Sequence, residues 1–203
     1  MNLDERLADL RRGEPGVDLS GADLSGRDLS GLELTRAKLA GAVLEGASLA
    51  GTSLTECDAQ GARLAGADLS GTVLVQCRLV QADLSETRLA ETVFQECDLK
   101  DVSLARAAGE VVEAVRCRLR DADLTGAVLS RLTCHDSPLD GADLSGADLY
   151  RASLEGADLR GCTLAGTRLV RARLCEVRAE GVDFSRCGLA QADFEGASLQ
   201  GAV

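Results

Sequence analysis

From Val17 to Val203 the chain keeps a five-residue beat that never slips in phase. Taking Leu19 as the centre of the first unit, 37 centres follow to Leu199, and 29 of them are Leu. The others are Ala59, Phe94, Gly109, Ala114, Cys134, Ala179, Phe184 and Phe194, so every Phe of the chain is a centre. Two positions earlier stands a small or compact residue, most often Ala, with Arg27 the misfit. An amphipathic helix repeats at 3.6 residues and a half-buried strand at 2, and neither fits a period of five with two inward positions. A chain that turns a corner once per unit does fit, with the centre and its small partner facing inward.

Composition agrees with a core made of small, uniform side chains. There is no Trp, one Tyr, three Phe and one His, against 22 Gly, whereas an ordinary core draws heavily on aromatics. Net charge is −11 with a pI near 4.6, which argues against direct nucleic-acid binding because phosphates call for a basic face. A basic protein partner remains open. No apolar run approaches eighteen residues, so no membrane span is expected. The charged start "MNLDERLADLRRGEPG" is unlike a signal peptide. The expected compartment is the cytoplasm, where thiols stay reduced.

The unit "ADLSG ADLSG", written A-(D/N)-L-x-x, resembles the pentapeptide-repeat family over Val17 to Ala202. The resemblance implies an all-β fold, a right-handed quadrilateral parallel β-helix with four units and twenty residues per coil. On that geometry residues 17–203 form about nine coils, a rod of about 43–45 Å at ~4.8 Å per coil. Residues 1–16 then form a short N-terminal capping helix and link. Asn2 is the expected cap, Leu3, Leu7 and Leu10 the apolar stripe, and Gly13 with Pro15 the stop.

Residues twenty apart then stack. Cys57, Cys77, Cys97 and Cys117 become an inward ladder, with Cys162 and Cys187 at the same inward position on other sides and Cys175 facing outward. A row of thiols cannot converge tetrahedrally on zinc, and no C-x-x-C spacing occurs. The ladder is read as packing filler, with a redox role as the alternative. The outward residue after each ladder position runs Asp18, Lys38, Asp58, Arg78, Asp98, Arg118, Pro138, Asp158, Arg178, alternating in sign except at Pro138. Such alternation turns like-charge repulsion into cross-coil pairs. Cys134, His135 and Asp136 adjoin, but Cys134 points inward and His135 outward, so they make no nucleophile–base pair. No catalytic residue, cofactor or metal site is expected.

Function must then lie on the surface. Val73, Val75, Val80, Val93 and Val115, with Val128 nearby, are apolar residues at outward positions and form a candidate contact patch; the alternative is that β-branched residues simply suit strands. The side centred on Leu34, Leu54 and Leu74 is the most acidic, at net −6, and adds Glu96, Asp136, Glu155 and Glu195 to the candidate surface. Between Gln76 and Asp121 no unit ends in Gly, and "ARAAGEVVEAVRC" lacks Leu at two successive centres. A thinner core there predicts a bend or an altered turn type, or else a short helical excursion. At the C-terminal end Phe194, Leu199 and Val203 form a candidate homodimer surface, since an open coil exposes strand edges.

Some members of the family that the repeat resembles bind type II topoisomerases, protect DNA gyrase from quinolones or toxins, and have been read as mimics of duplex DNA. The resemblance therefore points to DNA gyrase or topoisomerase IV as a partner. Two features depart from those members: no loop insertion interrupts the phase, and no helical dimer module follows the repeats. Acidic charge is also sparser, about one per 4.5 Å on the two acidic sides against about one per 1.7 Å in duplex DNA. The alternatives are a protein-interaction scaffold with another partner, or a structural or delivery module of a secreted assembly. An ice-binding surface would need outward Thr, and Thr52, Thr72 and Thr92 fall at inward positions.

Overall fold

The computed structural model describes residues 2–203 and begins with helix α1, Leu3–Arg11. Asn2 caps it: its side chain accepts from the Glu5 N–H at 2.9 Å, and Glu5 accepts from the Asn2 N–H at 3.0 Å. Leu7 and Leu10 are buried against the first coil, and Arg6 donates to the Asp18 carbonyl at 3.0 Å, which ties helix to solenoid.

The rest is a parallel β-solenoid. Its regular strands are β1 (Glu33–Thr35), β2 (Ser53–Thr55), β3 (Val73–Val75), β4 (Val93–Gln95), β5 (Ala108–Glu110), β6 (Glu113–Val115), β7 (Val128–Ser130) and β8 (Thr133–His135). One side carries a six-stranded sheet in the order β1-β2-β3-β4-β6-β8, and a neighbouring side carries the pair β5-β7. Every pairing is offset by twenty residues, as in Leu34↔Leu54 and Leu74↔Phe94. Single bridges such as Asp18↔Lys38 and Asp23↔Val43 repeat that offset on the other sides. Four five-residue units therefore make one circuit, and each coil's backbone groups are satisfied by its neighbours.

The recurring residues have specific duties. Centre leucines such as Leu24, Leu84 and Leu149 are fully buried. The Asp before the centre closes an Asx turn, accepting from the N–H two residues on, as in Asp18–Ser20 and Asp68–Ser70 at 3.0 Å. The last residue of every unit but one, Arg186, sits at positive φ, where Gly is free of strain. In the stretch without Gly the same conformation persists, for example at Gln81 (φ 59°) and Glu96 (φ 55°).

Neither a helical excursion nor a change of phase occurs between Ala105 and Cys117: β5 and β6 keep the common register. Gly109 stands where two coils run close, since a Cβ there would lie 2.7 Å from the Leu89 carbonyl carbon. Elsewhere a small centre is matched by a larger inward partner two residues before it. The pairs are Cys57 with Ala59, Val112 with Ala114, Leu132 with Cys134, and Val177 with Ala179. Gly109 has only Ala107, and an apolar void of about 20 Å³ lies nearby, lined by residues that include Leu89, Val112, Ala114, Leu124 and Leu129.

Candidate interaction surface

The six-stranded sheet turns two outward columns to solvent. One runs Glu33, Ser53, Val73, Val93, Glu113, Thr133, and the other Thr35, Thr55, Val75, Gln95, Val115, His135. Val73 and Val93 are direct register partners, Val75 shares a strand with Val73, and Val115 lies two coils beyond Val75 across Gln95. The structure thus brings four of the predicted valines onto one sheet, with Ser53 and Thr55 extending its uncharged centre. Val73 is 38% exposed, and Val75, Val93 and Val115 are half-buried. Val80 and Val128 belong to other sides, although Val128 is exposed.

The acidic candidates are dispersed. Glu96 is held by Arg116 at 2.9 Å and by the Gln76 amide at 2.9 Å, and Glu155 by Arg173 at 2.8 Å. Asp136 lies 3.5 Å from His135, and the exposed Glu195 forms no ion pair among the described residues. Glu195 stands five coils beyond Gln95, about 24 Å away at the inter-strand spacing. Sequence reading missed the arginines that offset Glu96 and Glu155, because they sit twenty and eighteen residues away and reach across a coil.

The alternating row pairs two by two. Arg78 meets Asp58 at 3.9 Å, Arg118 meets Asp98 at 3.6 Å, and Arg178 meets Asp158 at 2.7 Å, while Lys38 forms no ion pair among the described residues. Exposed pairs of this kind contribute about 0.2–1 kcal/mol each. Asp158 is the exception, only 5% exposed and held by both Arg160 and Arg178 at 2.7 Å. The Arg160 side-chain hydrogen bonds are the main cause that lowers its carboxyl below the usual aspartate value.

Cys57, Cys77, Cys97 and Cys117 are buried and reduced. Each donates to a carbonyl 23 residues earlier, from Cys57 to Leu34 at 3.3 Å to Cys117 to Phe94 at 3.3 Å. Thr52, Thr72 and Thr92 do the same at 2.7–2.8 Å. The thiols thus fill space and also satisfy buried carbonyls. The Cys77 thiol is pushed up, first by the hydrogen bonds shared with Cys57 and Cys97 and then by burial. Burial alone raises Cys134 to about 12. Cys134 is buried and His135 exposed on opposite faces of β8. Among the described residues no group of three or more His, Cys, Asp or Glu is placed to hold a metal, and no helix is long and apolar enough to cross a membrane.

At the C-terminal end Phe194 meets Phe184 edge-on, with centroids 5.5 Å apart, and is half-buried. Leu199 is 41% and Val203 75% exposed.

The family described as Pentapeptide repeats matches in eight copies over residues 18–55, 33–71, 77–108, 117–156, 133–166, 152–189 and 167–203. The chain belongs to the pentapeptide-repeat family. Among solved structures this pentapeptide-repeat protein is similar to HetL of the cyanobacterium Nostoc sp. strain PCC 7120, a pentapeptide-repeat protein involved in heterocyst differentiation regulation. The two are 29% identical with a TM-score of 0.75, over 100% of this chain and 94% of HetL. It shares its fold with full-length QnrB1, a plasmid-mediated fluoroquinolone resistance protein, at 17% identity and a TM-score of 0.61, over 93% and 92% of the two chains. Among curated protein sequences no relative is detected.

Proposed function

We propose that this pentapeptide-repeat chain is a non-catalytic binding scaffold of the cytoplasm, a right-handed four-sided rod of about nine coils. Its six-stranded side docks a protein partner. The observation that carries the reading is the uncharged centre of that sheet, where Val73 and Val93 stack in register on an otherwise charged surface. HetL and QnrB1, both built on this fold, have regulatory and resistance roles respectively. Replacing Val73 and Val93 together by Lys should abolish capture of whatever protein the wild-type chain retains. An unchanged capture profile removes the sheet from the reading.

The more specific form is a type II topoisomerase partner, DNA gyrase or topoisomerase IV, met by the side with net charge −6. QnrB1's role in fluoroquinolone resistance supports it. The test is DNA supercoiling by purified gyrase with and without a quinolone. Inhibition of supercoiling, or relief of poisoning, that disappears when Glu96, Asp136, Glu155 and Glu195 are reversed to Lys supports this form. It fails if the chain neither inhibits nor protects and no gyrase co-purifies. Pairing of two copies through Phe194, Leu199 and Val203 belongs to the same proposal. A monomeric mass by light scattering at high protein concentration would exclude it.

A further inference from the structure

Arg131, Arg151 and Arg171 stand one above another at a single corner of the solenoid, at the same turn position in successive coils, with φ of 61°, 58° and 60°. Their N–H groups donate to the next coil, to Tyr150, Val170 and Ala190 carbonyls at 2.8, 3.0 and 2.9 Å, so the column is held rigidly. With their backbones stacked at about 4.8 Å per coil, the three like charges repel. Every other outward column avoids this: no more than two like charges follow one another, as in Lys100 and Arg120 or Asp123 and Asp143.

Most of that charge is also left uncompensated. Arg131 meets only Glu110, at 3.4 Å, and neither Arg151 nor Arg171 forms an ion pair among the described residues. What orients them is neutral. Arg151 lies over the Tyr150 ring at 5.2 Å, and Arg171 donates to the Gln191 amide oxygen at 2.6 Å and to the Tyr150 hydroxyl at 3.5 Å. Arg168, paired with Asp148 at 2.8 Å, covers the ring at 4.7 Å. A ring, a phenol and an amide fix the guanidiniums without cancelling them, which leaves exposed, positioned donors for an anion from outside.

We infer that this corner docks an acidic peptide segment, an extended stretch of a partner protein whose carboxylates bridge Arg131, Arg151 and Arg171. From first to third Arg the column spans about 10 Å, the reach of three extended residues at ~3.3 Å each. A nucleic-acid strand fits less well. The chain's net charge of −11 repels an extended polyanion, and about 10 Å of cation contacts only one or two phosphates. The inference does not depend on the valine sheet or on the identity of its partner.

Tyr150 is the sole tyrosine and there is no Trp, so tyrosine emission reports from within the site. Titration with a hexaglutamate peptide at low salt should give a saturable change. The affinity should fall at least tenfold in Arg151→Glu/Arg171→Glu, and stay within twofold in Arg36→Glu, a turn arginine of the same conformation elsewhere. Should the double variant not fold by circular dichroism, Arg171→Gln should still weaken binding severalfold. Three results would each overturn the inference. They are no saturable change with hexaglutamate, an equal response from folded corner variants, or a response to hexathymidylate with none to hexaglutamate.

Discussion

Filling the void beside Gly109 tests the packing directly. Ala114 is buried at the centre of β6 and lines the space of about 20 Å³. A void of that size holds about one water and, being lined by apolar groups, stays dry. Ala114→Val adds two methyl carbons where a β-branched residue also suits the strand. Burial of a methylene contributes about 0.8 kcal/mol, so the ceiling is near ~1.6 kcal/mol. The second carbon must displace neighbours, and crowding of that kind costs of order 1 kcal/mol. The expected net is a stabilisation of about 0.6 kcal/mol, or roughly 1–2 °C in melting temperature for a chain of this length. Leu124→Ala, which enlarges the same void, should cost about 2–5 kcal/mol. Ala108→Val adds the same atoms at an exposed position of β5 and separates strand propensity from filling. Urea unfolding by circular dichroism reads all three. If Ala114→Val destabilises the chain, or gains no more than Ala108→Val, the void is not what the coils enclose and the size-matching argument fails.

Other outcomes follow from the same structure. In native protein an aromatic disulfide reagent should titrate at most two of the eight thiols, Cys175 and Cys187, the others reacting only in denaturant; fast reaction of a ladder thiol contradicts the packing. Asp158→Asn should lower stability at pH 7 by about 1–3 kcal/mol. Because the folded carboxyl is lowered, the wild-type advantage is full above the unfolded aspartate value near ~3.9 and is lost as pH falls through the folded one. A gap that instead persists unchanged to the most acid pH removes the charge from the explanation. Gly109→Ala should cost at least about 1–3 kcal/mol, since its Cβ meets Leu89 backbone at 2.7 Å; a neutral melt means the coils do not approach that closely.

The solenoid was legible because its information is local and redundant. Each unit repeats the same inward pair, and one phase carried through the whole chain fixes which residues are core. The turns at Gln81 and Glu96 were harder, since nothing in Gln or Glu announces positive φ. That conformation is imposed by the neighbouring units. The exchange of size between Val112 and Ala114, or Leu132 and Cys134, was present in the sequence as paired anomalies two residues apart. It could have been found by summing side-chain volume per unit. The partners of Glu96 and Glu155 depend on how far an arginine leans across a coil, which no periodicity encodes. For the same reason the acidic candidates read as one side of a rod, while in space they fall into separate, partly neutralised groups. The Arg131, Arg151 and Arg171 column is encoded by the same twenty-residue offset that stacks the cysteines, at the turn position of each unit.

The twenty-residue register has a consequence for how such a chain can change its length. Losing one or two residues would turn leucines outward in every storey beyond the cut. Losing five between the valine sheet and the arginine corner would leave the inside intact but rotate all later storeys by a quarter circuit, so that the corner would move to a different edge relative to the sheet. Losing twenty would remove a storey and keep every remaining edge in line. Recombination between like units therefore behaves as a combination lock, in which each click of five resets the exterior while the interior is preserved.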